Sequence, residues 1–121
     1  MPKTICLIDD EEEILTEMSH WLKDQGYQVI AASSGPAAVE KIQKQRPNLI
    51  ILDIIMPVMT GFDVLRELKK NHQTHSIPVI MLTAKGETST IMQAQQSHAV
   101  DYFIKPFDQA ELLKSIKKHI I

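Results

Sequence analysis

The sequence predicts an α/β fold in which a five-stranded parallel sheet is doubly wound by helices. Two observations indicate this class. Short runs of large apolar residues, as in strands buried on both faces, alternate with segments whose apolar residues recur at helical spacing. Five such strands alternate with five helices through short connections, a pattern that implies a parallel sheet covered by helices on both faces, with right-handed crossovers. The resulting (βα)5 pattern places residues 1–121 in one domain.

The chain opens with a strand and a helix. Thr4–Ile8 is an apolar run, read as the first strand, and it leads into an acidic cluster at residues 9–13. Beyond the cluster, Gly26 is the expected end of a helix, because Gly commonly follows the last turn. The apolar stripe of that helix is Ile14, Leu15, Met18, Trp21 and Leu22.

A second strand and helix follow. Gln28–Ala32 reads as the strand. Ser34 is a typical helix cap, and Pro36 suits the first turn of the helix, which we expect to end before Pro47. A modest apolar stripe faces the core, formed by Ala38, Val39 and Ile42.

The central strand carries the most informative residue. Residues 49–52 are continuously apolar, and Asp53 is the first charge that the strand meets. Pro57 and Gly61 then force a loop. A buried strand that delivers one carboxylate to its C-terminal end suits an open α/β sheet, in which ligands bind beyond the strand ends.

The remaining elements repeat the pattern. Thr60 and Asp63 have the spacing of a capping box, so a third helix begins there. We expect a fourth strand at residues 78–82, with Thr83 at its C-terminal end. We also expect a helix at residues 87–98, although this segment is poor in large apolar groups. Residues 99–104 form the fifth strand. Residues 108–111 fit a capping box for the last helix, whose stripe is Leu112, Leu113, Ile116 and Ile120.

Composition excludes several classes of protein. A net charge of -2 gives no reason to expect nucleic acid or an anionic membrane as a partner. No apolar run reaches the roughly 18 residues that span a bilayer, and no secretory signal opens the chain. The single Cys6 cannot form an internal disulfide. We therefore expect a cytoplasmic protein or a cytoplasmic piece of a larger one.

The predicted strand ends bring five functional groups to one edge of the sheet: Asp9, Asp10, Asp53, Thr83 and Lys105. Two like charges about 4 Å apart repel by roughly 4 kcal/mol at an effective dielectric of 20, so three bare carboxylates need a cation. Oxygen ligands with room for water suit Mg²⁺ best.

Charge then suggests the chemistry. Asp53 is the expected nucleophile toward the phosphorus of a donor, since carboxylates form aspartyl phosphates. A bound metal would neutralise charge on the attacking and transferring oxygens, while we expect Lys105 and the Thr83 hydroxyl to take the remaining phosphoryl oxygens.

The chain resembles the receiver domains of bacterial response regulators over nearly its whole length. The resemblance lies in Asp9-Asp10, in Asp53 with Pro57 and Gly61, and in residues 81–84 and 102–107, Met-Leu-Thr-Ala and Tyr-Phe-Ile-Lys-Pro-Phe. It implies the flavodoxin-like strand order 2-1-3-4-5. It also implies that a histidine kinase or histidine phosphotransfer protein phosphorylates Asp53. Mg²⁺ would then be held by Asp10, Asp53, the backbone carbonyl of Ile55 and, through water, Asp9.

The resemblance further implies a switch. After phosphorylation, Thr83 moves toward the phosphoryl group and Tyr102 turns into the vacated space. The surface of the predicted fourth helix, fifth strand and last helix then changes, which signals to a downstream protein or output domain and supports a phosphorylation-dependent dimer. Such a chain is a signalling phosphoacceptor rather than an enzyme, since it catalyses only its own phosphorylation and dephosphorylation.

Two residues depart from the family pattern. His98 stands where many relatives have Gly, and a non-Gly residue resists a positive φ there. Ile55 is apolar, so its side chain cannot orient an attacking water, and we expect slow self-dephosphorylation.

Three other functions fit the same architecture. A degenerate receiver would bind partners without phosphorylation, although the complete set of acids, Thr and Lys disfavours it. A flavin or nucleotide carrier needs a Gly- or Ser/Thr-rich cradle after the first strand, where this chain has acids. A hydrolase with an aspartyl intermediate would need a second Asp at the position of Ile55.

Overall fold

A computed structural model describes residues 2–84, 93 and 97–121 of the chain. Strands and helices alternate through the described residues. In chain order they are β1 (Thr4–Ile8), α1 (Glu12–Asp24), β2 (Gln28–Ala32), α2 (Gly35–Gln45), β3 (Leu49–Asp53), α3 (Gly61–Lys70), β4 (Val79–Ala84), β5 (Asp101–Lys105) and α4 (Gln109–His119). The helix predicted at residues 87–98 falls outside the described part, apart from Gln93, Ser97 and His98.

The five strands form one parallel sheet in the order β2-β1-β3-β4-β5. This order confirms the doubly wound, flavodoxin-like fold. The register places Ile8 of β1 opposite Leu52 of β3, and Asp53 opposite Leu82 of β4. The last residues of β1, β3, β4 and β5 therefore lie at the same edge of the sheet.

Side-chain alternation along the strands divides the core into two layers. One layer packs β1, β3 and β4 against α2 and α3, and the other packs the same strands against α1 and α4. In β3, Ile50 and Leu52 face the first layer, whereas Leu49 and Ile51 face the second. The central strand reads as an unbroken apolar run because it is buried on both faces.

Side chains cap three helices where the sequence indicated. The Ser34 hydroxyl accepts a hydrogen bond from the Ala37 backbone N–H at 3.3 Å. Thr60 and Asp63 form a complete capping box, in which the Thr60 N–H donates to the Asp63 carboxylate at 3.0 Å. Asp108 caps α4 by accepting from the Ala110 and Glu111 N–H groups. These caps fix where each helix leaves the sheet edge.

The bounds of two strands differ from the prediction. β4 begins at Val79, because Pro78 has no N–H to donate to the sheet, and it continues to Ala84. β5 begins at Asp101 rather than at residue 99. The Ala99 N–H donates instead to the Ser97 hydroxyl, at 3.3 Å, which keeps this residue in the preceding loop.

The loop before β5 accommodates His98 without a left-handed backbone. Among the described non-Gly residues, positive φ values occur at Arg46 and Val58. His98 is exposed and lies outside that region of φ. The strain that the sequence suggested at this position is therefore not found. Within the described ranges, no helix is long and apolar enough to cross a membrane.

Candidate functional site

The carboxyl edge of the sheet gathers an acidic pocket. Asp53 is the last residue of β3, while Asp9 and Asp10 directly follow β1. One carboxylate oxygen from each of these three residues lies within 4.8 Å of the others. Asp9 and Asp53 are buried, whereas Asp10 is exposed. The pocket thus has two desolvated acids at its base and one acid at its mouth.

Lys105, the last residue of β5, reaches into this pocket. Its Nζ donates a hydrogen bond to Asp9 Oδ2 at 2.9 Å and lies 3.5 Å from Asp53 Oδ1. Burial alone lowers the pKa of Lys105, but the hydrogen bond to Asp9 and the two carboxylate charges leave the pKa above its usual value. Lys105 is therefore an ammonium that neutralises part of the acidic charge.

The surroundings of Asp53 perturb its acidity. The pKa of Asp53 is raised from 3.8 to about 6, first by burial, then by the negative charge of Asp9 and, to a smaller extent, by that of Asp10. Lys105 acts in the opposite direction without cancelling these effects. The protein therefore holds the Asp53 carboxylate in an environment that stabilises its charge less well than water does.

Asp9 has a role that sequence reasoning did not find. Its Oδ1 accepts the Glu11 backbone N–H at 2.9 Å, and its Oδ2 accepts from Lys105. The sequence indicated two adjacent acids after β1 without indicating which of them faces inward. Strand alternation could not decide this, because both acids lie beyond the last residue of β1.

Gly61 determines how the loop after β3 passes the pocket. Its N–H donates to the Ile54 carbonyl at 2.8 Å. A Cβ at this position would lie 2.5 Å from the Asp53 carbonyl oxygen and 2.8 Å from Ile54 Cα, closer than real side chains approach. Gly61 is therefore required by this close backbone contact, and not only as a loop former.

The tip of the same loop contains a strained residue. Val58 has a φ of +68° and is fully exposed. The Met59 N–H donates to the Pro57 carbonyl at 2.7 Å, so the chain makes a three-residue turn around Val58. A β-branched residue rarely adopts this conformation, and nothing in the sequence signalled it.

Thr83 lies on β4, the strand next to Asp53, and Tyr102 lies on β5, one strand further along the sheet. Thr83 is completely buried in β4, and no described residue hydrogen-bonds its Oγ1. Tyr102 in β5 pairs with Met81 and packs, partly buried, against the core layer of α2 and α3. The buried Thr83 hydroxyl is thus available to an incoming hydrogen-bond acceptor.

The donor set fits a hard divalent cation. Three carboxylates supply oxygen only, which Mg²⁺ and Ca²⁺ prefer. Ile55 follows in the loop with its side chain half exposed. The described residues therefore include an acidic cluster that could bind a metal ion.

Known proteins are similar to this chain in both sequence and fold. The family model for the response regulator receiver domain matches residues 5–117. The chain is 38% identical over 117 residues to the alkaline phosphatase synthesis transcriptional regulatory protein PhoP of Bacillus subtilis, an alignment that covers 97% of this chain and 48% of PhoP. The chain is also 33% identical over 112 residues to the protein PilH of Pseudomonas aeruginosa, covering 93% of each.

Solved structures agree with these relatives. The chemotaxis protein CheY4 of Vibrio cholerae superposes with a TM-score of 0.90 and 32% sequence identity, over 99% of this chain and 100% of that one. The chain spans about half the length of several curated regulators that it matches. Fold, pocket and sequence agree, and this chain therefore belongs to the family of response regulator receiver domains, the phosphorelay receivers of two-component signalling.

Proposed function

We propose that Asp53 is the phosphoacceptor of this receiver and that its donor is the phosphohistidine of a histidine kinase or histidine phosphotransfer protein. The observation that carries the proposal is the buried Asp53 carboxylate at the end of β3, 3.5 Å from the Lys105 ammonium and grouped with two further acids. This arrangement concentrates both the nucleophile and the charge that phosphoryl transfer needs.

The reaction forms one bond and breaks one. An oxygen of Asp53 forms the new P–O bond while the P–N bond of the phosphohistidine breaks, and water protonates the leaving imidazole nitrogen. Lys105 already lies between Asp9 and Asp53, so its ammonium needs only a small movement to pair with a phosphoryl oxygen. The Thr83 hydroxyl, to which no described residue hydrogen-bonds, is the second donor that we assign to the phosphoryl oxygens.

We assign Mg²⁺ to this pocket, held by Asp10, Asp53, the backbone carbonyl of Ile55 and, through a water, Asp9. When bound, the ion neutralises negative charge on the carboxylates and on the phosphoryl oxygens. Asp9 differs from the other acids because its carboxylate already accepts from Lys105 and from the Glu11 N–H. A water-mediated role for Asp9 is consistent with those two bonds.

We further propose how the signal leaves the site. Phosphorylation would draw Thr83 toward the phosphoryl group and let Tyr102 turn inward, which changes the surface of the segment before β5, β5 itself and α4. This surface would contact a downstream protein, an output domain or a second phosphorylated copy. We expect residues 1–121 to act as one unit in the cytoplasm, without direct contact to nucleic acid or membrane. Its only catalysed reactions would be its own phosphorylation and dephosphorylation.

A small-molecule phosphodonor tests the assignment without knowledge of the kinase. Incubation with acetyl phosphate and Mg²⁺ should increase the intact mass by one phosphoryl group, and Asp53→Asn should abolish the increase. Asp24→Asn is the matched control, because Asp24 is an exposed acid at the far end of α1. An unchanged wild-type mass, or labelling that survives Asp53→Asn, would refute the proposal and favour a degenerate receiver.

A further inference from the structure

The outer face of α3 forms one wall of a groove away from the acidic pocket. Five residues of this helix line the groove at spacing i, i+3, i+4, i+7 and i+8, so they belong to one continuous face: Phe62, Leu65, Arg66, Lys69 and Lys70. Gln93, Ser97 and His98 lie across from them. The groove has a volume of about 440 Å³. We call this feature the α3 groove.

The α3 groove has an apolar floor and a cationic rim. Leu65 is buried and Phe62 is partly buried in the core layer beneath α3. Arg66 and Lys70 are exposed on the rim, and the described lining residues include no Asp or Glu. An apolar floor surrounded by positive charge complements a ligand with a row of apolar groups that is flanked by carboxylates.

The rim charges are available to a partner. Arg66 pairs with Asp63 at 3.1 Å and Lys70 with Glu67 at 3.8 Å, but all four side chains are at least 40% exposed. Such exposed ion pairs within a helix contribute little, so a better acidic partner can replace them. Lys69 is different, because its Nζ donates to the His75 carbonyl at 2.9 Å and is therefore already engaged.

The groove continues toward the proposed phosphoacceptor. A second hollow of about 250 Å³ shares Phe62, Arg66 and Gln93 with the α3 groove and is also lined by Ile54 and Ile55. Ile55 is half exposed and lies two residues beyond Asp53. A ligand that extends along α3 would therefore meet the exposed side of Ile55 next to the acidic pocket, and its acidic groups should stay clear of Asp63, which also lines this hollow.

We propose that the α3 groove binds an acidic amphipathic helix of a partner protein. The apolar side chains of that helix would cover the exposed part of Phe62, and its carboxylates would pair with Arg66 and Lys70. A helix fits because its i, i+4 and i+7 positions place apolar and acidic groups side by side along one groove. The groove shares Gln93, Ser97 and His98 with the output surface proposed above, but its basic residues belong to α3, and binding to it requires no phosphoryl group.

The test uses the full chain and a defined probe. The probe is a fluorescein-labelled helical peptide of about 14 residues with Leu at positions i, i+4 and i+7 and Glu beside them. A matched peptide has every Glu replaced by Lys. Fluorescence anisotropy gives the affinity at low and high salt, and ¹⁵N-labelled protein identifies the backbone amides that shift.

The variants separate this groove from other basic surfaces. The double variant Arg66→Glu/Lys70→Glu should weaken binding of the acidic peptide by about tenfold or more. The milder pair Arg66→Gln/Lys70→Gln should weaken that binding less. Lys114→Glu with Lys117→Glu changes the net charge equally on exposed positions of α4 and should leave binding unchanged. Salt should weaken binding as well.

Three results would overturn the proposal. These are no saturable binding of the acidic peptide below about 1 mM, equal binding of the Lys peptide, and equal weakening by the α4 pair. Phosphorylation of the Arg66/Lys70 variants by acetyl phosphate should remain at the wild-type level. That measurement keeps a failure of the groove proposal distinct from a failure of Asp53 as the phosphoacceptor.

Discussion

Replacing Asp53 by Asn should stabilise the metal-free protein at neutral pH. The pKa of the buried Asp53 carboxyl is raised from 3.8 to about 6, so the folded state binds this proton more tightly than the unfolded state does. Ionisation of Asp53 therefore costs folding free energy. Asn has a similar shape but no charge and no proton to lose, so the substitution removes the free-energy cost of burying an ionised carboxylate.

The magnitude follows from the shift. A raise of about two pKa units corresponds to about 3 kcal/mol at 1.36 kcal/mol per unit, which is an upper bound. This value already contains the attraction to Lys105, which lies 3.5 Å from Asp53 and is itself partly exposed, so solvent screening reduces the effect. We therefore expect a net gain of about 1–2 kcal/mol in the free energy of unfolding.

The dependence on pH has a definite sign. Below the unfolded-state pKa, Asp53 is protonated in both states and the two proteins should be almost equally stable. As the pH rises from about 4 to above 6, the wild type should lose stability relative to Asp53→Asn, and the difference should then stay constant. A chelator keeps the metal out during the measurement.

Urea unfolding followed by the fluorescence of Trp21, the single Trp, measures this difference at each pH. Asp24→Asn removes one exposed negative charge far from the pocket and should change the stability by less than about 0.5 kcal/mol. Mg²⁺ should then raise the stability of the wild type more than that of Asp53→Asn. An Asp53→Asn protein that is less stable than the wild type at neutral pH would refute the reasoning.

Three further predictions concern the loop after β3. Gly61→Ala should cost about 1–3 kcal/mol in urea unfolding and slow labelling by acetyl phosphate, because the new Cβ meets the Asp53 carbonyl; unchanged labelling would contradict this. Val58→Gly should stabilise the fold by about 0.5–1 kcal/mol, because Gly tolerates the φ of +68°; a lower melting temperature would argue against strain. Ile55→Asn should shorten the aspartyl-phosphate lifetime by giving the half-exposed position a water-orienting group, and a wild-type half-life of only seconds would count against the premise.

The sequence predicted the strands best where consecutive residues of a strand are all buried. β1 and β2 have the predicted bounds, and β3 carries Asp53 at its end as expected, because a strand buried on both faces leaves an uninterrupted apolar run. The meeting of Lys105 and Asp53 follows from the parallel topology alone. Helix starts were equally predictable wherever a capping side chain was present, as at Thr60.

Beyond the strand ends, the contacts of each side chain depend on the local path of the backbone, which residue patterns do not predict. The Asp9–Lys105 bond depends on the path of the chain after β1, and the contact between Gly61 and the Asp53 carbonyl depends on a loop that returns to its own strand. The positive φ of Val58 has no signal in a residue type that normally avoids it. The β5 boundary moved because Ser97, rather than the neighbouring strand, accepts the Ala99 N–H.

The buried Thr83 hydroxyl has no hydrogen-bond partner among the described residues, and this affects the stability of the resting protein. A buried polar group without a partner destabilises a fold by about 1–3 kcal/mol, a defect that Val would not have in the same volume. Any arriving oxygen that accepts from Thr83 recovers this energy, which amounts to roughly 5- to 150-fold in an equilibrium constant. The free energy of the unphosphorylated state is therefore already closer to that of the phosphorylated state before any signal arrives.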